Sequence, residues 1–113
     1  MILLKRPAFF RDLDHYSAYI ANDNPDAGRR FIKQAEETCE RLLKHPEIGH
    51  QENFRRYIGI RPWRVAGFDN YLIFYRVNED SVEILRLLHG SRNLRKMFLK
   101  PTDRSGDERS SAR

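Results

Sequence analysis

Apolar residues along this chain change their period once, near residue 50, and the change divides it into a helical half and an extended half. Residues 2–6 open as a short apolar strand that Pro7 closes. From Ala8 to Asn22 the apolar positions Phe9, Leu13, Tyr16 and Ile20 fall at helical spacing. Asn24-Pro25 predicts the start of a second helix. The Asn side chain accepts from free first-turn amides, and Pro at the first helical position needs no donor. This helix carries one buried stripe, Ala27, Phe31, Ala35, Cys39 and Leu42, flanked by Ile32, Thr38 and Leu43. Glu37–Arg41 and Glu40–Lys44 support the wet side at i,i+4, and Pro46 stops the helix. The short Asn-Asp-Asn link makes the two helices an antiparallel hairpin.

After a polar loop from Gly49 to Asn53 the pattern becomes extended. A strand is expected from Ile60 to Phe68, irregular or at an edge because of Pro62, followed by a turn at Asp69-Asn70. Tyr71–Val77 is the next strand, Asn78-Glu79-Asp80 the next turn, and Val82–Leu88 the last strand. In that last strand Val82, Ile84, Arg86 and Leu88 are expected on one face, with Glu83, Leu85, Leu87 and His89 on the other. Both faces are mostly apolar, which predicts a central strand with helices over one side and other chain partly covering the second. Asn93–Lys100 is expected to form a short terminal helix carrying Leu94, Met97, Phe98 and Leu99. The fold class is α+β in the order β-α-α-β-β-β, a helical hairpin packed on one face of a small, mainly antiparallel four-stranded sheet. Residues 1–100 form the domain, and the polar tail 101–113 is expected to be disordered.

At 113 residues the chain holds one modest core, and 40% hydrophobic content with seven Phe and five Tyr is enough to fill it. Net charge is +5. Residues 1–99 contain 17 basic against 13 acidic residues, so the excess belongs to the domain and not to the tail. Of the 21 basic residues 16 are arginine, the side chain suited to bidentate contacts with phosphate or carboxylate. A nucleic-acid or acidic-protein partner fits this balance, as does a plain solvated surface. The single cysteine, Cys39, excludes a disulfide framework and a thiolate metal site, and its place on the apolar stripe predicts a buried, inert thiol. His15, His45 and His50 are scattered without ligand spacing, so no metal and no cofactor is expected. The opening residues have the wrong order for a signal peptide and no window spans a bilayer, so a cytoplasmic protein is expected.

Candidate chemistry gathers in the strands and their exit. Arg61 and Arg64 differ by three positions and point to opposite faces of a regular strand unless a bulge intervenes. Arg86 interrupts an apolar face, so it must reach an edge, pair with an acid across the sheet, or line a ligand surface. His89 ends the last strand just before Gly90, where it either hydrogen-bonds to backbone or serves as an acid–base group. Trp63, Phe68, Tyr71 and Tyr75 form either a base-stacking platform or the core beneath the helices.

An ordered set of segments over residues 1–99 resembles the RelE/ParE superfamily, and its ParE-like branch most. The set comprises the opening strand and helical hairpin, Pro46-Glu47-Ile48-Gly49, Arg61, the Tyr71–Arg76 strand, and Ile84-Leu85-Arg86-Leu87-Leu88-His89-Gly90-Ser91-Arg92. The resemblance implies a RelE/ParE-like fold and a growth-inhibiting toxin of the plasmid-stabilisation kind, neutralised by a cognate antitoxin. The antitoxin's C-terminal segment would wrap the toxin, with Leu13, Tyr16, Ile20, Phe31, Arg61, Arg64 and Tyr75 as the expected contacts, in a complex that extends to a heterotetramer in such families. ParE-like members inhibit DNA gyrase without chemistry of their own, whereas RelE-like members cleave messenger RNA on the ribosome. For the gyrase reading the resemblance points to Arg86, His89, Arg92, Arg95 and Lys96 as target-binding residues. For the nuclease reading Arg61, Arg86, His89 and Arg92 would be catalytic; a remnant that only binds antitoxin is the third reading. No tyrosine follows Tyr75, which departs from the nuclease branch, and Asn93 stands after Arg92 where ParE-like chains usually carry Asp.

Overall fold

The computed structural model describes residues 1–54 and 57–90, with side chains at 1–51 and 59–90. A strand β1 (Ile2–Lys5) leads through Arg6 into helix α1 (Pro7–Asp23), where Pro7 occupies the first turn and its missing N–H leaves nothing unsatisfied. Asn24 then serves both helices. Its N–H closes α1 on the Ile20 carbonyl at 3.1 Å, and its side-chain oxygen accepts from Ala27 N–H at 3.1 Å, capping α2 (Pro25–Lys44). Gly28 lies where the helices touch. A Cβ there would sit 2.6 Å from the Ala21 Cβ and 3.0 Å from the Ser17 carbonyl, so only glycine permits this approach.

The extended half forms β2 (Glu52–Phe54), β3 (Tyr57–Val65), β4 (Phe68–Val77) and β5 (Ser81–His89). The sheet order is β1-β5-β4-β3-β2, with β1 parallel to β5 and the other pairings antiparallel. The four expected strands are present, and the loop expected through Asn53 instead contributes the short edge strand β2. The turn expected at Asp69-Asn70 falls earlier, at Ala66-Gly67, and Asp69 and Asn70 lie inside β4. Gly67 takes φ +80°, a conformation that glycine adopts at little cost, and it overrides the turn propensity of the Asp-Asn pair.

The simple alternation expected along β5 is broken. Tyr75 pairs with Ile84 and Phe74 with Arg86, which leaves Leu85 as the extra residue of a bulge. Val82 and Ile84 face the helices before the bulge, and Leu87 does so after it, while Leu88 joins the opposite face. Leu87 and Leu88 therefore exchange the faces expected for them.

The main core lies between the helical hairpin and the sheet. The α2 stripe Ala27, Phe31, Ala35, Cys39 and Leu42 is buried as expected, against Ile73, Tyr75, Val82, Ile84 and Leu87. Phe31 packs edge-on against Phe68 and Tyr71 at 5.1 and 4.9 Å between ring centroids. Thr38 pins α2 to the β3–β4 turn by accepting from Ala66 N–H at 3.2 Å. Lys5 pairs with Glu36 and ties β1 to α2. A smaller cluster on the other face of the sheet joins Ile60, Phe74 and Leu88, with Leu72 and Leu85 beside them.

Phe31→Ala and Leu42→Ala each leave a void in the main core and should cost about 2–5 kcal/mol. Urea denaturation checks this, and an unchanged midpoint for both variants would contradict the packing.

Candidate functional site

Arg86 is the charge whose place the sequence leaves open, and its partner comes from a helix and not from across the sheet. Asp12 on α1 accepts from Arg86 Nε at 2.7 Å and from its Nη2 at 3.0 Å, a two-pronged pair. The same carboxylate also accepts from Leu87 N–H at 3.0 Å. The local cause lies in β1. Its pairing with β5 ends where Arg6 N–H meets the Ile84 carbonyl at 2.9 Å, because Pro7 turns the chain into α1. Past that point Asp12 supplies β5 with the acceptor that a neighbouring strand would otherwise provide. Arg86 thus enters a structural pair, and the expectation that it reads a target is corrected to that extent.

Arg61 is engaged in the same way. Its Nη1 donates to the Gly49 carbonyl at 2.7 Å and its Nη2 to Gln51 Oε1 at 3.3 Å. Tyr75 completes this corner: its hydroxyl donates to the Pro46 carbonyl at 2.8 Å and accepts from Gly49 N–H at 2.9 Å. Burial pushes the Tyr75 hydroxyl above its ordinary pKa, and the Gly49 hydrogen bond and Arg61 charge oppose the shift without cancelling it. A Cβ on Gly49 would stand 2.7 Å from the Tyr75 hydroxyl and 3.0 Å from the Pro62 carbonyl. The Pro46–Gly49 element is therefore a loop clasped to the sheet.

Of the residues expected to meet an antitoxin, Leu13, Tyr16, Phe31 and Tyr75 are buried in the main core. They cannot form a contact surface without unfolding it, and that assignment is corrected. Ile20 is half-buried, and Arg64 is exposed, stacked over Trp63 at 5.3 Å. The large apolar side chains left open among the described residues are others: Met1, Ile2 and Leu4 near the β1 edge, Phe10 and Tyr19 on α1, and Ile32 on α2. Periodicity marks the core side of a helix well and says little about which outward residues are apolar.

His89 lies at the end of β5 with its ring edge-on to Tyr71 at 5.1 Å. Tyr71 also meets Tyr16 at 5.2 Å, so His89 ends an aromatic row that begins on the helices. Tyr71 and Tyr75 are buried, and Trp63 and Phe68 pack against the core, which leaves no stacking platform among these four. Arg92, Arg95 and Lys96, the terminal helix expected at Asn93–Lys100 and the tail 101–113 lie outside the described residues.

Elsewhere, Glu83 lies between Arg76 at 3.1 Å and Arg6 at 3.4 Å, with Asn78 also donating to it. Burial alone would raise its pKa, but the hydrogen bonds from Arg76 and Asn78, with the charges of Arg76 and Arg6, hold it below 4.5. Cys39 is pushed up to about 12, chiefly by burial; the Lys5 charge opposes the shift, and Glu36 and Glu40 add to it. Its thiol is inert at neutral pH. Among the described residues no group of His, Cys, Asp and Glu side chains is placed to hold a metal, and no helix is long and apolar enough to cross a membrane.

The family model described as "ParE toxin of type II toxin-antitoxin system, parDE" matches residues 3–94. A protein of Sinorhizobium fredii named "Putative toxin Y4kP" is 33% identical over 79 residues, covering 70% of this chain and 77% of its own. A solved structure titled "Chromosomal ParDE TA system from P. aeruginosa" superposes with a TM-score of 0.64 at 20% identity. That match covers 79% of this chain and 95% of the other, and it shows the shared fold.

Two predictions follow from the charges. Asp12→Ala leaves Arg86 and Leu87 N–H without their acceptor and should cost about 2–4 kcal/mol, somewhat less than a wholly buried pair because Arg86 keeps partial exposure. Thermal melting reads this, and a wild-type melting curve would contradict it. The second concerns Glu83, which the unfolded chain protonates more readily than the folded one. The stability it contributes is therefore present above 4.5 and lost as pH falls through the lower folded value. The melting gap between wild type and Glu83→Gln should narrow as pH is taken below 4.5, and a gap independent of pH would contradict the assignment.

Proposed function

The chain belongs to the ParE toxin family of type II toxin–antitoxin systems, whose partner is a cognate antitoxin, and on that premise we propose that it arrests growth by binding DNA gyrase and cuts no RNA. The observation that carries this reading is the occupation of the strand arginines. Metal-free RNA cleavage needs groups that take a proton from the 2′-hydroxyl, stabilise the pentacoordinate phosphorus and protonate the leaving oxygen. Of the four residues that could do so, Arg61 is bonded to Gly49 and Gln51, and Arg86 to Asp12. His89 packs its ring on Tyr71. Releasing either arginine for an incoming phosphate would break contacts that hold the fold. A toxin that works by binding needs no such release.

The target-facing residues in this reading are Arg92, Arg95 and Lys96, with His89 at the base of the segment that carries them. Antitoxin contacts fall on the apolar side chains that the hairpin and the β1 edge leave open, Phe10, Tyr19, Ile32, Ile2 and Leu4, together with Ile20 and exposed Arg64. A disordered antitoxin segment can cover such a dispersed surface while its rigid partner reorganises little.

Purified protein should inhibit gyrase supercoiling, and Arg92→Ala should weaken inhibition and growth arrest together at an unchanged melting temperature. Unaffected supercoiling with new messenger ends in the ribosomal A site would replace this reading with the nuclease. Expression without antitoxin that leaves colony counts unchanged would reduce the chain to a binding remnant.

A further inference from the structure

β1 ends the sheet on one side, and the direction of its backbone groups shows what that edge presents. Ile2 N–H reaches the Asp80 carbonyl at 3.0 Å and Arg6 N–H the Ile84 carbonyl at 2.9 Å. Ile2, Leu4 and Arg6 therefore turn their backbone groups toward β5, and the alternate residues Leu3 and Lys5 turn theirs away from it. The strand order stops at β1, so among the described residues no strand pairs with that outer edge.

An open edge is a template for any extended chain, and folded proteins usually guard it with charge or proline. The guards here are engaged elsewhere. The Lys5 amine is held by Glu36 of α2, and the Arg6 guanidinium by Glu83 on the face away from the helices. Pro7 lies past the end of the strand. The side chains left along the edge are apolar, with Met1, Ile2 and Leu4 at 59%, 59% and 41% exposed. Leu3 packs into the main core, so Ile2 and Leu4 alternate with it onto the outer face. Ile32, one turn before Glu36 on α2, is a further exposed apolar side chain.

We propose that this edge takes an extended segment of the antitoxin as an added strand of the sheet, paired to Leu3 and Lys5. The pairing rests on the antitoxin being the partner, and adds where and how it is held. Leu3 and Lys5 each offer one donor and one acceptor, which the segment's own backbone satisfies. Its outward residues are apolar and cover Ile2 and Leu4, and an acidic residue follows at Arg6, whose side chain is still more than half exposed beside Glu83. The net charge of +5 favours such an acidic strand over a basic one. A second copy of this chain fits less well. Pairing β1 with β1 engages a four-residue strand on each side, far short of the ~800 Å² per partner that stable interfaces bury.

The test is amide hydrogen exchange by NMR on the full chain, free and with the cognate antitoxin. In the free protein the Leu4 and Arg6 amides should be protected, and those of Leu3 and Lys5 should exchange fast. Antitoxin should slow exchange at Leu3 and Lys5 by about tenfold or more, with Leu4 and Arg6 still protected. Leu4→Lys, which sets an ammonium beside Glu83, should keep the wild-type melting temperature and weaken antitoxin binding by about tenfold or more. Bound antitoxin with Leu3 and Lys5 exchanging as before, or undiminished affinity in Leu4→Lys, would overturn the added strand and leave the antitoxin to the hairpin. A dimer of the free protein by light scattering, with both amides already protected, would give the edge to a second copy and would overturn it too. Antitoxin that does not bind at all would overturn the partner reading itself, an outcome distinct from binding without protection.

Discussion

A carboxylate on α1 and a guanidinium on β5 lie where each alone would be a liability. Asp12 sits on the inward stripe of its helix, one residue before buried Leu13, and Arg86 interrupts an apolar strand. An unpaired charge in either place would be expensive, whereas the pair, with Leu87 N–H as a third partner, satisfies both. The contact also locates the hairpin. The hydrophobic faces of α1 and the sheet can slide past one another at little cost, but a two-pronged pair made at one bulge permits one register. From that register follow the seating of α2 against the sheet, the row of rings from the helices to His89, and the turn of β1 into α1.

Helical periodicity is the part of this architecture most legible in the sequence. Each residue of the α2 stripe is buried, and Asn24-Pro25 begins the helix because both its cap and its missing donor are local chemistry. The β3–β4 turn was less legible, since Asp-Asn is a strong compositional cue and Gly67 a single residue whose positive φ decides the matter. The bulge at Leu85 was not legible at all. Val82–Leu88 is apolar on both faces, so a one-residue shift of register leaves no mark on the pattern. Asp12 did leave one. It occurs at i+3 from Phe9 and i+4 before Tyr16, an acid within an apolar stripe, and an acid so placed calls for a cationic partner.

The same economy of charge shapes the functional reading. A basic chain suggests phosphate, and the arginines of the strand region looked available for it. Arg61 and Arg86 are used to clasp a loop and a helix, Arg76 meets Glu83, and Arg64 stacks on Trp63. What the described residues offer a partner is chiefly their open apolar side chains. A surface of that kind suits binding by an antitoxin.

The Asp12–Arg86 pair holds α1 to β5, and a role in the fold is separable from a role toward a target. The measurement that bears on it most directly is growth arrest by the neutral variant Asp12→Asn with Arg86→Gln, compared with wild type at equal protein level and at a temperature where both are folded. Arrest and gyrase inhibition should persist in this variant, because the carboxamide at position 12 still accepts from Leu87 N–H while both charges are gone. Loss of arrest by a variant that remains folded would contradict it and would place Arg86 on the surface the target reads.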